Sequence, residues 1–552
     1  MVDDQRQRWD AIVIGSGLGG LACAAYLCAA GKRTLVLEAH YVAGGNSQVF
    51  RRGIHGRKYE FDVGVHYIGE CGAEGAITRI LRSVGLAERV DFRPLDPDGY
   101  STLIFPDLTF RVPAGWERYR ARLLETFPGE AEPLARVVDI LRAVAAEGGR
   151  IQNHETALQD LPAAAPTFMT WGLRPVTELF AEFRLSQRAA AVLLGEQGDY
   201  AVRPSRTPTA LAAGLTDHYM RGAFYPSGGG QVIAARLVEA IRAFGGEVRT
   251  RAPVQRVRVE NGRVAGVVLA SDGAAIDAPV VVSNADLKRT VRQLVGDQYF
   301  TRETVERVDA YRMTLPLFVV YLGLDIDLAA HGVPNTNLIM WGGYDIEAIY
   351  EQLEAGRIPD EDLVYITAAS LKDPANPRLA PPGHSNVQIM TLAPRDYGVW
   401  NVADAQAADG TYHRDPDYRR SKAALADRLI QAAARVLPDL REHIDWQETA
   451  TPVTQERFTH STGGTSYGIE FACDQMGPLR IGPHTDVPGL YLCGASTPSG
   501  HGISAVLRSG VIAASAVLEK DLLRQIRAGE ILGDPERLPL LRADWDPWRV
   551  CH

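Results

Sequence analysis

The sequence predicts an α/β protein: a parallel-sheet domain built from discontinuous segments and interleaved with an α+β domain that bears a helical insertion. Three observations carry this. Asp10-Ala-Ile-Val-Ile-Gly15-Ser-Gly17-Leu-Gly-Gly20 reads as buried strand, glycine turn and helix start, followed by a second strand, Thr34-Leu-Val-Leu, that ends in Glu38. Short apolar strands and glycine turns return after residue 223 and again near 489. Between them lie long amphipathic stretches with helical periodicity.

At 552 residues the chain exceeds one hydrophobic core. Its 46% apolar and 23% charged residues are ordinary for a globular protein. A net charge of −9 without a basic stretch argues against a nucleic-acid partner. The six cysteines (Cys23, Cys28, Cys71, Cys473, Cys493 and Cys551) include no C-x-x-C pair, which fits neither a disulfide framework nor a metal site. The opening Met-Val-Asp-Asp-Gln-Arg leaves no room for a signal peptide, and no apolar run is long enough to span a bilayer. The expected location is cytoplasmic, with peripheral membrane contact open.

The first unit is a Rossmann-type dinucleotide fingerprint. Gly15 permits the tight turn. Gly17 lets backbone N–H groups reach a pyrophosphate at the positive helix end, and Gly20 lets the helix pack on the strand. Glu38 is placed to take ribose hydroxyls. Ala43-Gly44-Gly45-Asn46 is a loop able to pass close to a cofactor. Arg51, Arg52, Arg57 and Lys58 flank a glycine turn and read as a solvated hairpin.

From 71 to 222 the pattern is mostly helical, with Ala131 to Ala146 and Pro175 to Leu194 as clear segments. Within it Phe168, Met169, Trp171, Leu173, Leu179, Phe180 and Phe183 could dip into a membrane surface, or pack as a helix pair on the body. Near 223 the α/β pattern resumes. Gly228-Gly229-Gly230 precedes a helix from Val232 to Phe244. Strands follow over 247–250 and 252–259, and Asn261-Gly262 turns a hairpin into Val264 to Ala270. Ala278 to Asn284 is a further strand. Residues 300–445 mix strands (315–324, 387–392) with a helix from Tyr418 to Leu437. Gly489 to Gly494 is a buried strand, and Gly502-Ile503-Ser504-Ala505 opens a helix reaching Leu518. The cofactor domain is thus expected over 1–70, 223–300 and 446–552, and the substrate domain over 71–222 and 301–445.

The stretches DAIVIGSGLGGLACAAYL (10–27), YEFDVGVHYIG (59–69), DHYMRGAFYPSGG (217–229), VVSNAD (281–286), SLKDP (370–374) and GLYLCGAS with GISAVL (489–507) carry a resemblance. The chain resembles the carotenoid and retinoid FAD oxidoreductases, a group related to phytoene desaturase. Within that group it is most similar to the all-trans-retinol 13,14-reductase (retinol saturase) branch. The resemblance implies FAD buried between the two domains. It places the ADP half at Gly15, Ser16, Gly17, Leu18, Gly19, Gly20, Glu38 and Ala39, with Gly44, Gly45 and Asn46 beside it and Val254 at the adenine. Gly494, Ala495, Gly502, Ile503 and Ser504 fall at the ribityl chain and flavin. Asn46 stands where many relatives have Arg, and Ala495-Ser496-Thr497 after Gly494 lack the carboxylate that often binds the ribityl hydroxyls.

Only one complete fingerprint with its acid is present, which implies one tightly held cofactor and a diffusible redox partner, NAD(P)H or another donor or acceptor. The activity implied is reduction or oxidation of a carbon–carbon bond in an apolar polyene or isoprenoid. Double-bond isomerisation of a polyene or fatty acid, and a flavin-binding scaffold without turnover, stay open. Candidate proton handlers are His66 and Tyr67 after a turn, His501 at a helix start, and Tyr225 and Tyr467 in glycine-rich loops. The plain alternative for each is a hydrogen bond that orders a loop. The sequence leaves the oligomeric state unknown.

Overall fold

The computed structural model describes residues 9–153, 155, 158–403, 407 and 410–552, so the reading of the first eight residues lies outside it. The cofactor sheet has five parallel strands in the order Leu490–Leu492, Val281–Ser283, Ala11–Ile14, Thr34–Leu37, Glu247–Arg249. Side chains alternate across it. Ala11, Val13 and Val36 join the core beneath the helices Leu18–Ala29, Val232–Ala243 and Ile503–Leu518. Ile12, Ile14, Leu35 and Leu37 face the antiparallel meander Val254–Glu260, Arg263–Leu269 and Ala275–Asp277. Both faces are covered, which explains why these strands are apolar throughout. The hairpin at Asn261-Gly262 forms as expected, with φ of 52° and 74°.

Small residues let the helices close on one another. A Cβ on Gly20 would lie 2.3 Å from the Gly15 carbonyl oxygen and 3.2 Å from Val13 Cγ1. One on Gly510 would lie 2.2 Å from the Gly19 carbonyl oxygen and 2.9 Å from Ala22 Cβ. The Leu18–Ala29 and Ile503–Leu518 helices therefore meet backbone to backbone, at the separation that sequence-distant glycines allow.

The second sheet has seven strands in the order Ile444–Ala450, Leu317–Leu324, Ser385–Leu392, Leu363–Thr367, Asn337–Trp341, Ser101–Phe105, Leu108–Val112. All pairs are antiparallel except Asn337–Trp341 with Ser101–Phe105. Two sequence readings change here. Strands 101–105 and 108–112 arise inside the stretch read as mostly helical, because Pro106-Asp107 turns a short hairpin onto the sheet edge. The division at 445/446 falls inside the strand Ile444–Ala450, which pairs with Leu317–Leu324 and so belongs to the second sheet.

The hairpin of Val49–Ile54 and Arg57–Asp62 is not merely solvated. Arg51 bonds Asp546 in a fork at 2.6 and 2.8 Å and reaches the buried Glu60 at 2.7 Å. Arg52 forks onto Glu448, and Tyr59 and Arg57 both meet Asp445. Phe61 stacks on Trp446 at 5.2 Å. The hairpin fastens the cofactor domain to the second sheet. Lys58 alone of the four basic residues is exposed.

The segment 175–194 is two helices, Val176–Glu182 and Gln187–Leu193, broken where Arg184 takes φ 52° and Ser186 caps the second. Leu179 and Phe180 are buried, and Phe168 lies against Gly148 and Gly172. Met169 and Leu173 remain 56% and 59% exposed. Among the described residues no helix is long and apolar enough to cross a membrane. All six cysteines are free.

Replacing Gly510 with Val should lower unfolding stability by about 2–3 kcal/mol, the usual cost of forcing side-chain atoms into packed backbone. Denaturant midpoints of the two proteins check this; equal midpoints contradict the packing described.

Candidate functional site

A cavity of about 560 Å³ lies at the carboxyl ends of the cofactor-sheet strands and runs to the second sheet. Its volume falls in the range of small-molecule sites, about 300–1,000 Å³. Fourteen of the residues expected at a cofactor line it: Gly15, Gly17, Leu18, Gly19, Glu38, Ala39, Gly44, Gly45, Asn46, Val254, Gly494, Ala495, Gly502 and Ile503.

The strands bring two helix N-termini to this cavity. Gly17 caps Leu18–Ala29 and Gly502 caps Ile503–Leu518, neither with a side-chain cap nor with an acid in the first turn. Their first N–H groups therefore keep a partial positive charge for a ligand. Glu38 accepts from the Ser16 amide at 2.8 Å, the Ser16 hydroxyl at 2.6 Å and the His40 amide at 2.7 Å. These contacts fix the carboxylate in the cavity wall. Asn46 is held by Ser466 and Gln455, at 3.1 and 2.9 Å. The loop after Gly494 is held by Arg480, whose guanidinium donates to the Ala495, Thr497 and Ile469 carbonyls. Burial brings Arg480 down to about 9.

Three of the expected cofactor residues act from behind the wall. Ser16 spends its donors on Glu38, Gly20 seats the helix on the strand, and Ser504 donates to Glu70 at 2.9 Å. Asn284 is a cavity residue that the sequence reading passed over. A Cβ on Gly17, Gly19 or Gly494 would come within 2.6–2.8 Å of its amide group. It ends the Val281–Ser283 strand, which lies beside Ala11–Ile14, and the sequence does not disclose that adjacency.

His66, His501 and Tyr467 of the candidate proton handlers line the cavity. The Tyr467 and His501 rings lie 5.0 Å apart. Burial, with Lys372 in second place, lowers His66 to about 3. Burial, with Arg480 next, does the same to His501. Both rings are neutral at physiological pH, and His501 Nδ1 is buried without a partner.

Tyr67 and Tyr225 do not reach the cavity. Tyr67 stacks on Tyr219 at 4.2 Å and donates to Asp199 at 2.5 Å, with Glu196 at 3.3 Å. Tyr225 is fully buried and donates to Asp62 at 2.6 Å. Because successive residues of an extended loop point apart, His66 inward puts Tyr67 outward. Burial pushes Asp62 and Glu196 up to about 7 and Asp199 up to about 6. Among the described residues no cluster of His, Cys, Asp or Glu could hold a metal ion.

The clearance over the glycines, the two open helix ends and the seated acid fit an adenine dinucleotide. The chain matches the flavin containing amine oxidoreductase family over residues 18–518, and it belongs to that family. The protein is thus an oxidoreductase of flavin-containing type. The all-trans-retinol 13,14-reductase of Danio rerio is 25% identical over 549 residues, covering 93% of this chain and 86% of that protein. The phytoene desaturase (lycopene-forming) of Pseudescherichia vulneris is 26% identical over 520 residues, covering 92% and 99%. A redesigned putrescine oxidase has the same fold, with a TM-score of 0.61 at 15% identity over 93% of this chain and 99% of its own.

Asp199 must be discharged for longer in the folded protein than in the unfolded chain, whose aspartates titrate near about 3.9. Its raised value, about 6, makes the folded state bind the extra proton, so this group lowers stability as pH rises from about 4 to 6. Asp199→Asn removes that loss. The melting temperature of the variant relative to wild type should rise across this window; a constant difference would show that Asp199 is ionised in the fold.

Proposed function

We propose that the protein is an FAD-dependent oxidoreductase that saturates a carbon–carbon double bond of an apolar polyene or isoprenoid of the retinoid or carotenoid kind. The supporting observation is the character of the cavity wall. Its charged residues apart from histidine, Glu38, Asp286 and Arg289, all belong to cofactor-domain segments. The wall also includes His66, His501, Tyr467, Leu317, Val319 and Ile503, none of them a carboxylate to receive an ammonium substrate. An uncharged, apolar substrate suits that wall; a protonated amine does not. The likeness to retinol reductase and phytoene desaturase over most of the chain supports the same substrate class.

Gly15, Gly17 and Gly19 would hold the pyrophosphate and Glu38 the ribose, with the amides at Gly502 and Ile503 facing the flavin. FAD bound there supplies two-electron hydride chemistry at N5. This chain's residues do the rest. Ile503, Leu317 and Val319 exclude water from the polyene. The neutral rings of His66 and His501 each offer one N–H donor and one nitrogen acceptor, so either can hold or pass a proton at a ring nitrogen. Conjugation in the substrate spreads the charge that develops. The electron partner in this reading is NAD(P)H or another diffusible donor.

Anaerobic photoreduction followed by addition of a polyene tests the proposal. Reoxidation of the bound flavin with a saturated product is expected. Bleaching of oxidised flavin by the substrate reverses the direction, and product without net colour change indicates an isomerase. No response to any polyene sinks the substrate class and favours a non-catalytic flavin scaffold. His66→Gln should retain the flavin and reduce kcat by about 10²-fold, the usual weight of a positioned proton handler.

The same reading includes peripheral membrane contact through Met169 and Leu173, which would let an apolar substrate partition toward the protein. Substituting both with Ser should lower co-sedimentation with phosphatidylcholine vesicles. Equal binding by the two forms removes this part of the proposal.

A further inference from the structure

Lys372 ends the short helix Ala369–Lys372 and is 2% exposed. Its ammonium has three donors and meets three oxygens. These are the main-chain carbonyl of His66, Asn337 Oδ1 at 2.7 Å and Thr367 Oγ1 at 2.5 Å. The Thr367 hydroxyl donates in turn to Asn337 Oδ1 at 2.9 Å. Asn337 Nδ2 is left buried without a partner, so the amide is turned to give its oxygen to the ammonium.

The charges around Lys372 are all engaged elsewhere. Asp373 bonds the Gly228 amide and Arg93. Asp62 is held by Tyr225 and Gly230, and Asp199 by Tyr67 and Tyr219. The Tyr225 ring lies 5.9 Å from Nζ. Burial brings Lys372 down to about 7, opposed through space by Asp62 and then Asp199.

The loop that carries His66 belongs to the cofactor domain and has neither helix nor strand between residues 63 and 70. It is anchored at Val63 by Gln48 and at Ile68 by Phe224. Lys372 grips it between those points, from the helix that follows the second-sheet strand Leu363–Thr367. Asn337 and Thr367 lie on two strands of that sheet.

We infer that Lys372 is a positioning residue for His66: the ammonium ties the His66 carbonyl to two strands of the second sheet and so fixes where the imidazole stands in the cavity. The catalytic weight of this rests on the reading of His66 as a proton handler. The tie itself does not. Deprotonation of Lys372 leaves two N–H donors for three oxygens and removes a positive charge from beside the ring, so His66 should sense a titration that is not its own.

The test is NMR of FAD-loaded full-length protein carrying ¹³C-labelled histidine, titrated from pH 5.5 to 9, with His66→Gln identifying the signal. The wild-type His66 signal should carry a Lys372 contribution near pH 7, on top of any from Asp62, Glu196 and Asp199, which titrate in the same window. Lys372→Arg should keep the signal near its native position and remove the Lys372 contribution. Lys372→Met should shift the signal and remove the same contribution, and lower kcat by about 10-fold or more at little change in KM, with Lys372→Arg restoring part of the loss. A His66 titration curve that is the same in wild type and Lys372→Arg overturns the inference even if the Met variant does not fold. If the Lys372 contribution behaves as expected but His66→Gln turns over at the wild-type rate, the positioning stands and the proton-handling role of His66 falls.

Discussion

The site depends on how closely three stretches of backbone approach one another. The turn at Gly15–Gly20, the strand end at Asn284 and the helix beginning at Gly502 come from sequence positions far apart. They converge around the Asn284 amide, which lies between the glycine turn and Gly494. Any Cβ on Gly17, Gly19 or Gly494 would occupy that space. The open N–H groups of both helices reach one cavity because this clearance exists. The constraint is steric first, and the electrostatic effect of the helix ends follows from it.

Much of this was legible because strict local patterns encode it. The strand–glycine–helix–strand–acid run from Asp10 to Glu38 allows few other structures, and its residues lie where the pattern puts them. The Asn261-Gly262 turn and the helix opening at Ile503 are similarly local. What escaped depends on pairing between distant segments. Asn284 becomes a cavity residue only when its strand lies beside Ala11–Ile14. Ser101–Phe105 joins a sheet only because Asn337–Trp341 offers an edge. Tyr67 and Tyr225 had the right chemistry but the wrong side of the chain: one is drawn to Asp199 and the other to Asp62. The basic hairpin looked solvated because its partners, Asp445, Glu448 and Asp546, come from the other end of the sequence.

The polar interior has a division of labour. The cavity holds histidines kept neutral by burial, while the carboxylates with raised affinity for protons sit behind it with their tyrosines. Charge is thus kept off the wall at His66 and His501, and the buried ammonium of Lys372 is spent on one main-chain, one amide and one hydroxyl oxygen.

The order of strands in the cofactor sheet also bears on biosynthesis. Four strands are complete by Ser283, but the fifth and the helix Ile503–Leu518 lie some two hundred residues further on. At about 5–20 residues per second, a ribosome needs about 10–40 s to supply them. For that interval the helix Leu18–Ala29, buried along nearly its whole length in the finished protein, lacks its main cover. The nascent chain therefore exposes part of this apolar helix until its last segments are made.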